Sequence, residues 1–450
     1  MRLPDYQVLD SGLERLPRDR LEAVQAERLQ AMVAYVHATS AFWQAKLDAA
    51  GVTPESIRGL DDLDRLPFVT RKELEEDQAI HPPFGSYVCS GPTQWAKFFT
   101  TSGTTGRPLR RAYSQRDWTY VMERFQRSPR IRPGEKAMIL GPVDGLQAPT
   151  AAMESLALMG GLVVLAGLWT TRTKVEAIGE LRPSIVSGTA SYLVHLSEVA
   201  KEMGVDLAGC GIRQVASAGE WGGAVTSTRA LLAARYGAEV VDGYGLTEIF
   251  PLAGSCPFST SLHVAEDLVL VECIDPSTGA PLPPGELGEL VYTNLVGDTQ
   301  PLLRYRSRDL GRLSDGTACA CGKTVVRIEG SISGRSDDMV VYHGVNLFPQ
   351  AVENVVREFP ELGAEYRIVV TDEAGGLPRL RVEVEALGEL REAARQDLRQ
   401  RVETELHARL RVRAAVELLA TGAIQAAAAG RKTRRVVDLR MDAKQGGLPQ

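Results

Sequence analysis

AEVVDGYGLTEIF, residues Ala238 to Phe250, decides how the chain folds. Its β-branched pair, Val240-Val241, breaks into Gly-Tyr-Gly and then Leu-Thr-Glu, which reads as a strand that ends at a glycine turn. It is the last of a series. KAMIL (Lys136–Leu140), GLVVLAG (Gly161–Gly167), SIVSGT (Ser184–Thr189) and IRQVASAG (Ile212–Gly219) precede it, each separated from the next by a segment of helical character. Such alternation predicts a mostly parallel sheet covered by helices, hence an α/β fold.

Outward from this series the texture changes. Residues 18–50 carry apolar side chains at Val24, Leu29, Met32, Val33 and Val36 and predict a helix. Thr70 is placed to cap a second, shorter helix that begins Arg71-Lys72-Glu73. Between 265 and 330, LVLVECID, GELGELVYTNL and PLLRYRSRDLGRLSDG are short strands between Gly/Pro turns, expected to be antiparallel or barrel-like. Past GRSDDM (Gly334–Met339) the chain restarts with a hairpin, EYRIVVTDEAGGLPRLRVEVEAL, and a helix from about 388 to 412. In that helix Leu390, Ala394, Leu398, Val402, Leu406 and Leu410 recur every four residues, so one face is expected to be buried. A chain of 450 residues exceeds one compact core. The expected division is a large N-terminal domain (1–334), a hinge (335–338) and a small α+β C-terminal domain (339–450).

Composition narrows the function classes. With 44% hydrophobic and 24% charged residues the chain is of globular type, and a net charge of −6 offers no broad basic surface for nucleic acid or anionic membrane. The longest apolar run, Leu156 to Trp169, is too short and too rich in glycine to span a bilayer. The first residues lack an apolar signal core, so a cytoplasmic protein is expected. Six cysteines are too few for a disulfide scaffold in a chain this long.

Four stretches carry residues suited to chemistry. FFTTSGTTGRP (Phe98–Pro108) lacks the spacing of a Walker loop, yet its glycines permit close backbone approach and Ser102, Thr104 and Thr105 add hydroxyl donors. It is either a phosphate loop or a plain polar turn. In the opening stretch Tyr244 can lie against a base, Thr247 can donate to a phosphate and Glu248 can ligate Mg²⁺. The alternative is a strand-to-helix turn in which Thr247 only caps. Asp309 can accept both hydroxyls of a ribose, or simply pair with Arg306 or Arg308. Finally, six residues separate Cys256 from His263 and one alanine separates Cys319 from Cys321; together they supply four N/S ligands that match a closed structural zinc site, or else the second pair is an inert turn.

TTSGTTGRP, DGYGLTE, YRSRDLG, GRSDDMVVYHGVNLFPQAVE and GRKTRRVVD, in this order, resemble the adenylate-forming acyl/aryl-CoA synthetase superfamily, in its phenylacetate-CoA ligase-like branch. LPFVTRKEL near the start is similar to the entry segment of that branch. The resemblance implies that a carboxylic acid, of aromatic type, attacks the α-phosphate of ATP·Mg²⁺ to give an acyl-adenylate and pyrophosphate. Transfer of the acyl group to CoA follows, and a homodimer is also implied. By resemblance, Thr101, Ser102, Gly103, Thr104, Thr105 and Gly106 cradle the β- and γ-phosphates. Ala218, Gly219, Glu220, Asp242, Gly243 and Gly245 then line the nucleotide, Tyr244 packs on adenine, Thr247 contacts the α-phosphate and Glu248 holds Mg²⁺. Asp309 binds ribose, and Arg335 sits by the nucleotide beside hinge residue Asp337.

The resemblance further implies that a small mobile domain carries a cation into the adenylation site, and Lys432 matches it, with Arg431 as its rival and a basic surface tail as the alternative reading. Trp221 and Asp144 fall near the expected acyl pocket, although a core tryptophan and a turn aspartate explain them equally well. The chain departs from its relatives at Arg107, where lysine is usual, and at His343, where arginine is frequent. Two other functions share these motifs. One is the same adenylating fold with another acceptor, such as an amine or a carrier protein, or with diazotisation of an aryl amine by nitrite. The other is a catalytically inactive nucleotide-binding switch.

Overall fold

In the computed structural model the described residues are 1–101, 108–127, 131–220, 222–249, 251–336, 340–342, 345–372, 378–388, 390–424 and 435–439. The series of apolar runs forms the strands Lys136–Ile139, Leu162–Leu165, Ile185–Gly188, Gln214–Ala218 and Glu239–Gly245, all parallel to their neighbours. Helices Gln147–Leu158, Thr171–Leu181, Ala190–Glu202 and Thr226–Tyr236 make the crossovers. The last three share one core with the sheet residues Met138, Val186, Val215 and Val240. At Glu239–Gly245 the direction reverses: Pro251–Cys256 and Ser259–Val264 add on antiparallel, and Arg327–Ile328 closes an eight-stranded mixed sheet.

A second sheet contains the 265–330 strands. Its order is Val69–Thr70, Tyr305–Arg312, Leu287–Asn294, Val269–Ile274, with Gly334–Arg335 also paired to Tyr305–Arg312. The barrel-like expectation is corrected here. Among the described residues Val269–Ile274 and Val69–Thr70 lie at opposite edges, and no pairing joins them, so the sheet is open. A meander of short strands fits either form, and here the outer strand beside Tyr305–Arg312 comes from more than two hundred residues upstream.

The long helix expected over 18–50 is two helices, Arg18–Thr39 and Ala41–Ala49. Ser40 takes an extended conformation between them and its side chain accepts from the Trp43 amide, an N-cap that restarts the helix. Their apolar side chains, including the fully buried Trp43, join the main core.

Charge is also buried in this unit. The Arg127 guanidinium donates to both oxygens of Asp267 at 2.9 and 2.5 Å and approaches Glu14 at 3.4 Å. Burial pushes the Glu14 carboxyl up, but Arg124, Lys323 and Arg127 outweigh it and hold the group at about 2. The cluster ties the N-terminal segment to the end of helix Gln115–Gln126 and to the turn before the second sheet.

The C-terminal unit has its own core, built from Val352, Tyr366, Ile368, Val382, Leu398, Val402, Leu406 and Val416, among others. Its four-stranded sheet runs Ala415–Leu419, Pro378–Ala386, Leu362–Asp372, Val436–Asp438. The expected helix is Glu392–Leu410, ended by Arg411 in the left-handed region at φ 57°. Leu398, Val402 and Leu406 face inward as the four-residue spacing requires, whereas Ala394 is exposed. Strand Leu362–Asp372 packs against helix Ala190–Glu202 of the large unit.

Asp267→Ala leaves the Arg127 charge buried beside only part of its partners, a loss of about 3–5 kcal/mol. All 5 tryptophans lie between Trp43 and Trp221, so tryptophan fluorescence during urea unfolding reports the large unit selectively. A lowered urea midpoint by that probe is expected; an unchanged one contradicts the buried-pair account.

Candidate active site

The reversal at Glu239–Gly245 leaves residues 246–249 at the carboxyl end of the parallel strands, where ligands of such sheets gather. The hairpin Trp95–Thr100 and Arg110–Ser114 holds them from one side, because the Tyr113 hydroxyl donates to the Thr247 carbonyl at 2.9 Å. Tyr113 is fixed in turn by Phe99 and Trp118, with ring centroids 5.7 and 5.9 Å away. The same hairpin carries the hydroxyl-rich loop. Thr101 closes its base twice: its amide donates to the Leu109 carbonyl and its Oγ1 accepts from the Leu109 amide, both at 3.0 Å. Ser102, Gly103, Thr104, Thr105, Gly106 and Arg107 lie outside the described residues.

Asp309 is the meeting point of the site. Its Oδ2 accepts from the Tyr244 hydroxyl at 2.6 Å and its Oδ1 accepts from Arg335 Nη1 at 3.1 Å. Asp309 and Arg335 face each other across neighbouring strands. The alternative pairing with Arg306 is not what forms: Arg306 is committed to Glu289 at 2.6 Å and to the Pro276 carbonyl at 2.7 Å. Strand alternation explains this, since residues 306 and 309 fall on opposite faces. Burial, then the Asp309 charge, raises the Tyr244 phenol far above its ordinary range, so it stays a neutral donor. A carboxylate has about four lone-pair positions, so one group can serve several donors at once.

Glu248 is 5% exposed, and its Oε1 accepts from Arg71 Nη1 at 3.1 Å. The sequence motifs did not single out Arg71. The signal that finds it is the Thr70 capping box, which fixes Arg71 as the first residue of helix Arg71–Ile80.

The remaining nucleotide-side residues fall along two adjacent strand ends. Ala218 pairs with Gly243, and Gly219 follows at φ 92°, a conformation open to glycine. The Glu220 carboxylate accepts from the Ser191 amide at 2.6 Å and so caps helix Ala190–Glu202. Asp242 is buried against Gly223, where a Cβ would stand 2.5 Å from its Oδ1. Burial raises its carboxyl from 3.8 to about 7, only partly offset by the Ser217 hydroxyl and the Ala224 amide. Asp144 occupies an exposed turn ahead of helix Gln147–Leu158. Trp221, Asp337, His343, Arg431 and Lys432 lie outside the described residues.

Behind the strand that pairs with Glu239–Gly245, Cys256, His263, Cys319 and Cys321 come together with all ligand atoms within 4.8 Å of one another. Cys256 Sγ is 3.8 Å from Cys319 Sγ, and Cys321 Sγ is 3.5 Å from His263 Nε2. A tetrahedral site with Zn–S near 2.3 Å and Zn–N near 2.0–2.1 Å would have S···S edges of about 3.8 Å and S···N edges of about 3.5 Å, which these two distances match. Burial, with Lys323 and Arg327 nearby, lowers the His263 imidazole to about 4 and keeps it neutral.

Residues 15–294 match the family model described as AMP-binding enzyme, and residues 344–440 that described as AMP-binding enzyme C-terminal domain. The chain is 35% identical to phenylacetate-coenzyme A ligase of Thermus thermophilus over 95% of this chain and 98% of the relative. It is 32% identical to the enzyme of that name from Escherichia coli, over 83% and 84% of the two chains. Among solved structures it superposes on 2-hydroxyisobutyryl-CoA ligase in the postadenylation state with a TM-score of 0.87, at 28% identity over 96% of this chain and 92% of that one. Against the same ligase in the thioesterification state the TM-score is 0.70, with 96% and 93% covered. The chain thus superposes better on that ligase in its postadenylation state than in its thioesterification state.

The Asp242 carboxyl gives the folded protein a proton that the unfolded chain has lost between 3.8 and about 7, so stability falls as pH rises across that window. Asp242→Asn removes this titration. Urea unfolding at pH 5 and pH 8 is expected to show a flatter pH dependence in the variant, by roughly 2–4 kcal/mol. Equal slopes in the two proteins contradict the raised carboxyl.

Proposed function

The chain belongs to the AMP-binding enzyme family, and we propose that the acid it activates is aromatic. The reaction is AMP-forming ligation. A carboxylate oxygen of the acid bonds to the α-phosphorus of ATP and the bond to pyrophosphate breaks; then the CoA thiol sulfur bonds to the acyl carbon, AMP leaves and the thiol proton is released. The observation that carries the reading is identity spread over almost the whole chain with a phenylacetate-coenzyme A ligase. Its support in the site is the set formed by Tyr244, Asp309, Arg335 and Glu248 at the strand ends.

In this reading Asp309 accepts the ribose hydroxyls, oriented by Tyr244 and Arg335, and Tyr244 offers its ring to adenine. Thr247 donates to the α-phosphate. Glu248 is buried and is joined through Arg71 to Thr101 at the base of the phosphate loop, and a single carboxylate beside substrate phosphates is the donor set that suits Mg²⁺. When bound, that ion offsets charge on the phosphate oxygens. Lys432 is assigned to the α-phosphate as negative charge develops there. The cluster of Cys256, His263, Cys319 and Cys321 is assigned to a structural zinc ion, on the strength of its tetrahedral edge lengths. There it ties the Pro251–Val264 hairpin, which pairs with the Tyr244 strand, to the segment that leads into Arg327–Ile328.

AMP release is to be measured over a panel of aryl and short aliphatic acids, with and without CoA. Aryl acids are expected to turn over only when CoA is present; a preference for aliphatic acids overturns the aromatic assignment. Glu248→Gln is expected to lower adenylation by about 10²–10³-fold, the scale of losing one transition-state charge contact. For zinc, emission spectrometry of the purified protein should find one metal per chain, with Cys319→Ser losing it and melting earlier. Metal-free protein with an unchanged Tm removes that assignment.

A further inference from the structure

Arg71 makes three contacts, and two of them leave its own helix. Its Nε donates to Glu75 Oε1 at 2.7 Å, an i,i+4 helix-surface pair of the kind that contributes little. Its Nη1 reaches Glu248 at 3.1 Å and its Nη2 reaches Thr101 Oγ1 at 2.9 Å. One guanidinium thus joins the carboxylate expected to hold Mg²⁺ to the first residue of the expected phosphate loop. The neighbouring lysine does not share this position: Lys72 is 78% exposed and reaches Glu76 at 3.7 Å.

The local fold holds Arg71 there. The strand Val69–Thr70 pairs in parallel with Tyr305–Arg306, which carries the next residue to the same strand end as Asp309. Thr70 and Glu73 then form a reciprocal capping box, so the helix starts at Arg71 with its backbone fixed. The Arg71 side chain is 25% exposed while that of Glu248 is 7% exposed, so the cation is the more accessible member of the pair.

We propose that Arg71 is a triphosphate-binding residue. It pairs with Glu248 before nucleotide arrives, then turns to the β- and γ-phosphate oxygens of ATP, which would leave Glu248 available to hold Mg²⁺, and it remains with pyrophosphate when that group departs. Guanidinium suits the exchange because its planar fork matches carboxylate and phosphate alike. The proposal rests on the adenylating reading of the site and adds a residue to its leaving-group side. It commits Arg71 to the phosphates that AMP lacks.

Isothermal titration with α,β-methylene ATP and with AMP, both in excess Mg²⁺, separates these roles. Arg71→Met is expected to weaken the ATP analogue on the order of 10- to 100-fold, as for one lost charge-assisted pair, and to leave AMP within about threefold. Arg71→Lys should fall between, Lys72→Met should match wild type, and thioester formation from a supplied acyl-adenylate should survive Arg71→Met. If the analogue and AMP weaken together, Arg71 only braces the pocket and the proposal fails; it also fails if neither weakens. A wild-type protein that binds both nucleotides yet forms no adenylate with any acid sinks the functional reading instead.

Discussion

The Asp309 carboxylate is shared between Tyr244 and Arg335, and three parts of the molecule depend on that one group. Tyr244 belongs to the eight-stranded sheet, Asp309 to the second sheet, and Arg335 to the strand that leads out of the large unit. Two sheets that meet at a shared carboxylate have their relative placement set to within a hydrogen bond. A buried carboxylate must be satisfied or it destabilises the fold, so its two donors are structural necessities as well as site residues.

The strand series was legible because parallel strands buried on both faces are continuous apolar runs, and KAMI, SIVSG and VVDGYG announce themselves without reference to anything distant. The Thr70 capping box was legible for a related reason, since a cap is written within four residues. Cys256, His263, Cys319 and Cys321 could be grouped because so few residue types make a closed N/S ligand set. Val69–Thr70 could not be read as a strand: it is two residues long and its partner is more than two hundred residues away. The capping box places Arg71 at the start of its helix, but its contact with Glu248 was hidden, because it depends on that distant pairing.

Pairing across the fold defeats local reading elsewhere too. Arg306 and Arg308 are the obvious partners of Asp309 in the chain, but the cross-strand neighbour is Arg335. Arg127, Asp267 and Glu14 look like ordinary surface charges until the fold buries them against one another. Nothing at Ser40 breaks the apolar spacing of residues 18–50, yet its side chain restarts the helix there. For the charged residues the deciding partner lies outside the window in which periodicity operates, whereas the Ser40 cap is local but leaves no mark on the apolar spacing.

Gly334 adopts φ 136°, a backbone state that side chains strain against, and Arg335 immediately after it is held by both strand pairing and Asp309. The chain is therefore held at Arg335 on the side of the large unit. On the proposed function, a reorientation of the small unit would be taken up beyond Arg335, with Asp309 and Arg335 left in place on the ribose edge. Activation and transfer would then share a single bound AMP moiety, with no need to release and recapture it between the two steps.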